Sequence, residues 1–464
     1  MAMPTPYAKP VTIASPDVGL REPSVSRSAL GLARSVLGTY LRLALGFERI
    51  ELRGGDELAR AFAEALSGER RLILAFRHPY GDEPQLLSWA FLRGVELEAR
   101  RAGIRLPVRP HAVFVHGYEV PRWGGPLVRW LLPRVGAMPV HHSKLDSVGM
   151  ARIRAAIEDG PFPLALSPEG QVSYTADDVP RLEPGAVRIG LQAADRLAKA
   201  GRAARVELMP ISVRYRYGPR ARRSLLRLLA RLESFVGVGA GSDDEPVVDR
   251  LRRCLEMILA EAERQYGLAS ADAAGVAEGA ERGVAARVGA VVEAALDAGE
   301  RLLGIERGPG DSIERLYRIR QIGWDRVFLP PEEDPRNVSD MRRAVLDRRA
   351  GEAWYAMRHM ELADFAWYLR SGPPAADGGL TTGPIVEYAQ NLWDFANRLA
   401  GGAISGRREV RPKRAVVTAS APIDLSARLE DYRRDRKSAQ AAIMDELKRS
   451  YTACIKEFIN EERG

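Results

Sequence analysis

Short apolar segments alternate with helical segments between residues 29 and 217, and this alternation limits the fold more than any other feature. Brief runs dominated by Val, Ile, Leu and Phe, too short for typical helices, are typical of buried strands. Such runs occupy 71–76, 111–116, 136–141, 163–167 and 206–215. Helical stretches separate most of them, for example 56–67, 146–158 and 185–200. The pattern predicts an α/β fold with a mixed, largely parallel sheet flanked by helices.

The second half of the chain has a different character. After Tyr217 the sequence is rich in Ala, Arg and Glu, and both 220–310 and 339–370 have helical patterns. One strand-like run, 414–425, then precedes a long final helix. A lone strand after so many helical residues is explained if it rejoins the earlier sheet. The intervening helical part is then an insertion.

The length of the chain also favours several parts. A chain of 464 residues is longer than one compact core usually accommodates. The beginning is rich in Pro, Ser and Thr, a composition typical of disorder. We therefore predict a disordered N-terminus at 1–25, an α/β domain with an N-terminal helix at 29–217, a mostly helical insertion at 218–411, and a last strand and helix that complete the α/β domain at 412–464.

The charge and the cysteines limit the partners and the location. A formal net charge of +8 attracts polyanions, either nucleic acid or an anionic membrane surface. No nucleic-acid-binding motif accompanies this charge, so we expect no nucleic acid. No segment reaches the ~20 apolar residues that cross a bilayer, and the start lacks the apolar core of a secretory signal. With only Cys254 and Cys454, the chain suits a reducing cytoplasm, and we expect it to lie on the membrane without spanning it.

Two helical segments are candidates for contact with that membrane. Within 29–47, apolar residues recur at helical spacing, as in a helix packed on the domain or in one that dips into lipid. Within 220–236, leucines gather on one side and arginines on the other. That second pattern suits an anionic membrane surface, or a helix packed on the α/β domain with a solvated basic face.

The segment LILAFRHPYGDEP, at 72–84, places candidate catalytic residues at the end of a strand. The strand delivers Arg77 and His78 to its carboxyl end, where two prolines and a glycine force a turn. Asp82 and Glu83 follow, and either could accept a hydrogen bond from the imidazole. Such a pair would let His78 take a proton from an alcohol at neutral pH. A loop histidine beside turn-forming acids is the simpler interpretation.

A second strand ends at Ser167, where Pro168, Glu169 and Gly170 turn the chain. Ligands of α/β sheets usually bind at the carboxyl ends of strands. Together and in this order, the two segments resemble the glycerophospholipid acyltransferase family. Its His-x4-Asp, Gly-x5-Arg, Pro-Glu-Gly and Pro-centred strand blocks resemble, in turn, 78–83, 136–142, 168–170 and 209–211. The resemblance covers 30–217 and 412–460, because 414–425 is similar to the family's late strand.

Two positions depart from the family's pattern. Glu83 stands where the family has Asp, with Asp82 one position earlier. His142 stands at the family's phosphate-binding Arg, with Lys144 two residues further on. Histidine is a weaker, pH-dependent phosphate partner than a guanidinium, so Lys144 or Arg77 could supply the missing charge.

The resemblance implies an O-acyltransferase of phospholipid biosynthesis, without cofactor or metal. The donor would be acyl-CoA or acyl-carrier protein, and the acceptor a lysophospholipid or glycerol phosphate, with conversion of 1-acylglycerol 3-phosphate to phosphatidic acid foremost. Its site residues would be His78 with Glu83 or Asp82 for catalysis, and Glu169, Gly170, His142, Lys144 and Arg77 for the substrate. A different lipid acceptor, or a non-catalytic lipid-binding scaffold of the same fold, are the alternatives. No metal-ligand spacing joins the histidines at 111, 116, 141 and 142.

Overall fold

The computed structural model describes residues 10–17, 22–141, 146–242, 245–268, 283–308, 310–374, 383–402 and 406–463. The chain divides into two compact units, one comprising 20–216 and 412–464, the other 1–19 and 217–411. They are named here the α/β unit and the helical unit. The boundaries at 217 and 411 lie beside those predicted for the insertion.

Ten strands and sixteen helices organise the described residues. In chain order the strands are β1 (Ser15–Pro16), β2 (Phe47–Arg53), β3 (Arg70–Phe76), β4 (Val113–Gly117), β5 (Met138–Val140), β6 (Leu164–Leu166), β7 (Arg205–Arg216), β8 (Phe328–Leu329), β9 (Lys413–Ala419) and β10 (Ile423–Asp424). The helices are α1 (Arg27–Leu43), α2 (Gly55–Ser67), α3 (Glu83–Trp89), α4 (Val95–Arg101), α5 (Val120–Trp123), α6 (Gly125–Arg134), α7 (Ser147–Glu158), α8 (Gly185–Lys199), α9 (Pro219–Val236), α10 (Val247–Gln265), α11 (Val284–Leu303), α12 (Ser312–Val327), α13 (Asp340–Trp367), α14 (Gly383–Leu399), α15 (Leu429–Arg434) and α16 (Arg436–Arg463). A π-helical turn, Ala90–Gly94, joins α3 to α4.

The α/β unit contains one mixed sheet in the order β2-β9-β7-β3-β6-β4-β5, with β10 also paired to β7. Strands β7, β3, β6, β4 and β5 are parallel to one another. The central strand β3 is apolar throughout its interior because it is covered on both faces, and Ile73, Leu74 and Ala75 are fully buried. The predicted α/β class, with a mixed and mostly parallel sheet, is confirmed.

The late strand β9 lies between β2 and β7 and runs antiparallel to β7. Its amino end therefore lies at the edge of the sheet where β3, β6 and β7 end. This geometry brings Lys413, the first residue of β9, to the carboxyl edge of the parallel strands. The long helix α16 packs below the same strands, and the Tyr451 hydroxyl donates to the Ala75 carbonyl oxygen over 2.8 Å.

Part of the N-terminus differs from its prediction. Residues 1–9 and 18–21 lie outside the described residues, but Ser15–Pro16 pair in parallel with Phe328–Leu329. The Ala14 amide donates to an Asp347 carboxylate oxygen over 2.8 Å. The prediction of disorder throughout 1–25 was wrong, because a polar, Pro-rich segment can be ordered by main-chain hydrogen bonds that its composition does not reveal.

The helical unit buries the leucine face of α9. Leu225, Leu228, Leu229 and Leu232 are buried, and α9 packs against α10 and α14. This face is therefore occupied within the helical unit and is not open to lipid. No helix in the described part of the chain is long and apolar enough to cross a membrane.

Candidate active site

His78 lies at the carboxyl end of β3, immediately after the main-chain hydrogen bond from the Arg77 amide to the Ile211 carbonyl oxygen (2.9 Å). Its imidazole keeps 18% of its surface exposed, whereas most groups around it are buried. The ring lies edge-on to Phe76, with ring centroids 5.8 Å apart. The strand and this aromatic neighbour fix the imidazole at the carboxyl edge of the sheet, where part of its surface is exposed.

Glu83 is the carboxylate that contacts this imidazole. Its Oε2 lies 2.7 Å from the His78 Nδ1, and the Glu83 side chain is fully buried. Because an ionised carboxylate only accepts hydrogen bonds, a neutral imidazole bonded to it in this way carries its proton on Nδ1 and presents a lone pair at Nε2. Within the described residues Nε2 has no hydrogen-bond partner. The imidazole is thus oriented so that Nε2 can accept a proton, as a general base must.

Besides His78, two donors hold the Glu83 carboxylate in place. The Tyr215 hydroxyl donates to Oε1 over 2.5 Å, and the Tyr80 amide lies 3.2 Å from each oxygen. Burial, with the neighbouring Glu83 and Asp82 carboxylates, raises the pKa of the Tyr215 hydroxyl well above its usual value. Tyr215 therefore remains a donor at any physiological pH. Neither tyrosine was predicted for the site.

Asp82, the other predicted acid, has a different partner. One carboxylate oxygen lies 2.5 Å from the Nζ of Lys413, which is itself buried. The same ammonium lies 4.7 Å from the ring centroid of Phe47 and 5.2 Å from that of Tyr215. Asp82 thus anchors the loop after β3 to β9, and of the two acids it is Glu83 that contacts His78.

Arg77 and Glu169 form a buried pair beneath this loop. The Arg77 side chain is fully buried, its Nε donates to Glu169 Oε1 over 2.7 Å, and Glu169 Oε2 accepts from the His78 amide over 3.1 Å. Both carboxylate oxygens are therefore engaged. The predictions that Arg77 meets a substrate phosphate and that Glu169 holds an acceptor hydroxyl do not agree with this geometry, because both groups point inward.

The Arg77 guanidinium also holds the loop that follows Gly170. Its terminal nitrogens donate to the carbonyl oxygens of Thr175 (3.0 Å), Ala176 (3.1 Å) and Asp178 (2.7 Å). The Ser173 amide donates to the His78 carbonyl oxygen over 2.9 Å. We call residues 171–178 the clamped loop. Between its anchors Tyr174 has φ +48°, a left-handed conformation that costs a non-glycine residue about 1–2 kcal/mol.

The remaining candidate residues lie in different situations. Gly170 has φ +74°, which suits glycine at the turn after β6. His142 and Lys144 lie outside the described residues, so their proximity to His78 stays a prediction. His111 is buried, which lowers the pKa of its imidazole, and it bonds to the Val135 carbonyl oxygen. Among the described residues no group of His, Cys, Asp or Glu is arranged to hold a metal ion.

The chain was compared with family models, with curated proteins and with solved structures. None of the three comparisons found a match. The function is therefore argued from the geometry of the site.

Replacement of the two acids separates their roles. In Glu83→Gln, an amide that donates a hydrogen bond or accepts one only weakly faces Nδ1. If His78 acts as a base, we expect the kcat of the reaction to fall on the order of tenfold to a hundredfold. Asp82→Asn keeps an acceptor for Lys413, so we expect a loss of about 1–3 kcal/mol in unfolding free energy and a much smaller change in kcat. Steady-state kinetics and urea unfolding of both variants measure the difference. A larger kcat loss for Asp82→Asn would reverse the assignment.

Proposed function

We propose that the protein is an O-acyltransferase that moves a fatty acyl group from a thioester donor to a hydroxyl of a lysophospholipid or glycerol phosphate. The observation that carries this proposal is the His78–Glu83 pair, in which Nε2 has no hydrogen-bond partner among the described residues and the imidazole is partly exposed. The donor is acyl-CoA or acyl-carrier protein. The foremost acceptor is 1-acylglycerol 3-phosphate, which would yield phosphatidic acid.

In the proposed reaction, Nε2 of His78 takes the proton of the acceptor hydroxyl while its oxygen attacks the thioester carbonyl carbon. The C–O bond forms, the C–S bond then breaks, and the leaving thiolate takes the proton from the imidazolium. Glu83 stabilises the transient positive charge through Nδ1, and the Tyr215 hydroxyl keeps Glu83 in position. No covalent acyl-enzyme is needed, which fits a site built around a base.

A lipid acceptor requires access to a membrane, and helix α1 supports a peripheral location on the inner face of the membrane. Ala29, Leu30 and Leu41 pack inward. The large apolar side chains that remain exposed follow one another at helical spacing along a single stripe, namely Leu32, Val36, Tyr40 and Leu43. No acidic residue occurs within α1. An apolar stripe on an acid-free helix suits the interface of an anionic bilayer.

The test is an acyl-transfer assay with labelled acyl-CoA and acyl-carrier protein against glycerol 3-phosphate and a panel of lysophospholipids. We expect at least one acceptor to be esterified by the wild-type protein and not by His78→Ala. Preference for an acceptor other than 1-acylglycerol 3-phosphate would change the substrate and keep the reaction type. Binding to lipid without turnover of any acceptor would favour a non-catalytic scaffold.

A further inference from the structure

Five arginines on or beside helix α9 have no carboxylate partner among the residues that the structure describes. Four belong to α9, and Arg223, Arg227 and Arg231 follow one another at four-residue spacing beside Arg222. The fifth, Arg408, lies near Arg231. None of the five forms an ion pair with any part of the chain that the structure describes. We call these residues, Arg222, Arg223, Arg227, Arg231 and Arg408, the arginine face.

The orientation of α9 follows from its leucines. Because Leu225, Leu228, Leu229 and Leu232 are buried in the helical unit, the opposite side of the helix is left to solvent. Arg223 and Arg227 are exposed there and Arg222 is exposed at its flank, whereas Arg231 and Arg408 are half-buried. No large apolar side chain of α9 is exposed among them. The arginine face therefore offers charge without a means of inserting into a bilayer core.

The charges of this face repel one another. Burial and the neighbouring Arg231 guanidinium lower the pKa of Arg408 below the usual arginine value. The Arg408 guanidinium lies 5.8 Å from the ring centroid of Trp393, and within the described part of the chain it forms no ion pair that would offset Arg231. Two close, uncompensated guanidiniums are stabilised when an anion comes between or beside them.

Several other arginines of the same unit are paired. Arg250 bonds to Glu233, Arg287 to Glu263, and Arg315 to Glu300. The whole chain has a formal net charge of +8, and this face adds five positive charges that form no ion pair with the described residues. Four of these charges lie within ten residues of one helix, and such a local concentration of one sign favours a polyanionic partner.

We propose that the arginine face binds the surface of an anionic phospholipid bilayer through its headgroups. The nine residues from Arg223 to Arg231 extend about 12–14 Å along a helix, more than a single phosphate occupies. Clusters of four to eight basic residues on an amphipathic helix are typical of binding to anionic lipid. The inference rests on the proposed function in one respect, since an enzyme that acylates lipids has to reach them. It assigns the helical unit a role in membrane recruitment.

The test is vesicle flotation with the full chain, using phosphatidylcholine vesicles with and without phosphatidylglycerol. The variant replaces four residues, Arg222→Gln, Arg223→Gln, Arg227→Gln and Arg231→Gln. The matched control removes four exposed but ion-paired arginines of the same unit, Arg252→Gln, Arg264→Gln, Arg307→Gln and Arg348→Gln. Both changes lower the net charge equally, so a difference between them reports position and not total charge.

We expect the wild-type protein to bind the anionic vesicles on the order of a hundredfold more tightly than the neutral ones at low ionic strength. The arginine-face variant loses this preference and the control keeps it. Added salt weakens the preference, while residual binding to neutral vesicles through α1 is unchanged in all three proteins. A preference that survives in the variant, or that is absent from the wild-type protein, overturns the proposal.

Two further measurements separate the possible failures. Flotation of the His78→Ala variant measures membrane binding in the absence of turnover. Turnover of a soluble short-chain acceptor by the wild-type protein measures catalysis in the absence of a membrane. Loss of one with retention of the other identifies which proposal is wrong. If the arginine face binds a purified acidic acyl-carrier protein but no anionic vesicle, its partner is a protein and the lipid assignment is wrong.

Discussion

Replacement of His78 by alanine is expected to lower kcat about 10²–10⁴-fold in the acyl-transfer assay, the usual contribution of a positioned general base. The stability should change little, for two reasons. The imidazole is partly exposed, and Glu83 keeps its bonds from the Tyr215 hydroxyl and the Tyr80 amide when the ring is removed. Steady-state turnover and thermal unfolding of the same preparation measure both effects.

His359→Ala is the matched control for the loss of a histidine. His359 lies in the helical unit, where its Nδ1 is 2.8 Å from the Tyr266 hydroxyl and burial lowers its pKa. Its removal should cost about 1 kcal/mol of stability and leave turnover within a few-fold of wild type. Wild-type turnover by His78→Ala on acyl-CoA and a lysophospholipid would refute the proposed mechanism.

The central sheet could be predicted from the sequence because its strands are apolar runs. Strand β2 was not predicted, although it lies beside β9. The pairing of β2 with β9 shifts register between Phe47 and Arg49, so the alternation of apolar and polar residues is broken there. Its exposed, charged side chains also remove the apolar run that marks the buried strands. A local pattern does not reveal a strand of this kind.

The site was predictable only where its residues are neighbours in sequence. His78 and the two acids form one segment, but the partners that distinguish the acids are distant. Tyr215 lies 132 residues from Glu83, and Lys413 lies 331 residues from Asp82. The return of β9 to the sheet was expected from the sequence. Its consequence for Lys413 depends on the antiparallel direction of β9, which composition does not determine.

The inward direction of Arg77 and Glu169 was also not predictable. A charged pair at the end of a strand usually suggests substrate binding, because charges are seldom fully buried. Here the pair is buried and its hydrogen bonds are satisfied by the chain itself. Sequence alone does not distinguish a charge that meets a ligand from one that holds a loop.

Arg77→Met is expected to lower the free energy of unfolding by about 3–5 kcal/mol, because it leaves the Glu169 carboxylate buried without its cation. It also removes the donors that hold Thr175, Ala176 and Asp178, so the clamped loop should relax and kcat should fall. Urea unfolding and a separate determination of kcat and KM measure the two effects. If Arg77 met a substrate phosphate, the substitution would instead raise KM and leave stability unchanged.

The double variant Arg77→Met with Glu169→Gln distinguishes the cost of an unpaired charge from the loss of the clamp. Removing both charges should restore part of the stability, since no carboxylate remains buried alone. Turnover should stay low, because the carbonyl oxygens of the clamped loop still lack their donor and Tyr174 is no longer held at φ +48°. Arg77→Lys keeps the charge but reaches fewer of these oxygens, and we expect values between those of Arg77→Met and wild type. Recovery of both stability and turnover in the double variant would mean that the clamp contributes nothing to the site beyond neutralising Glu169.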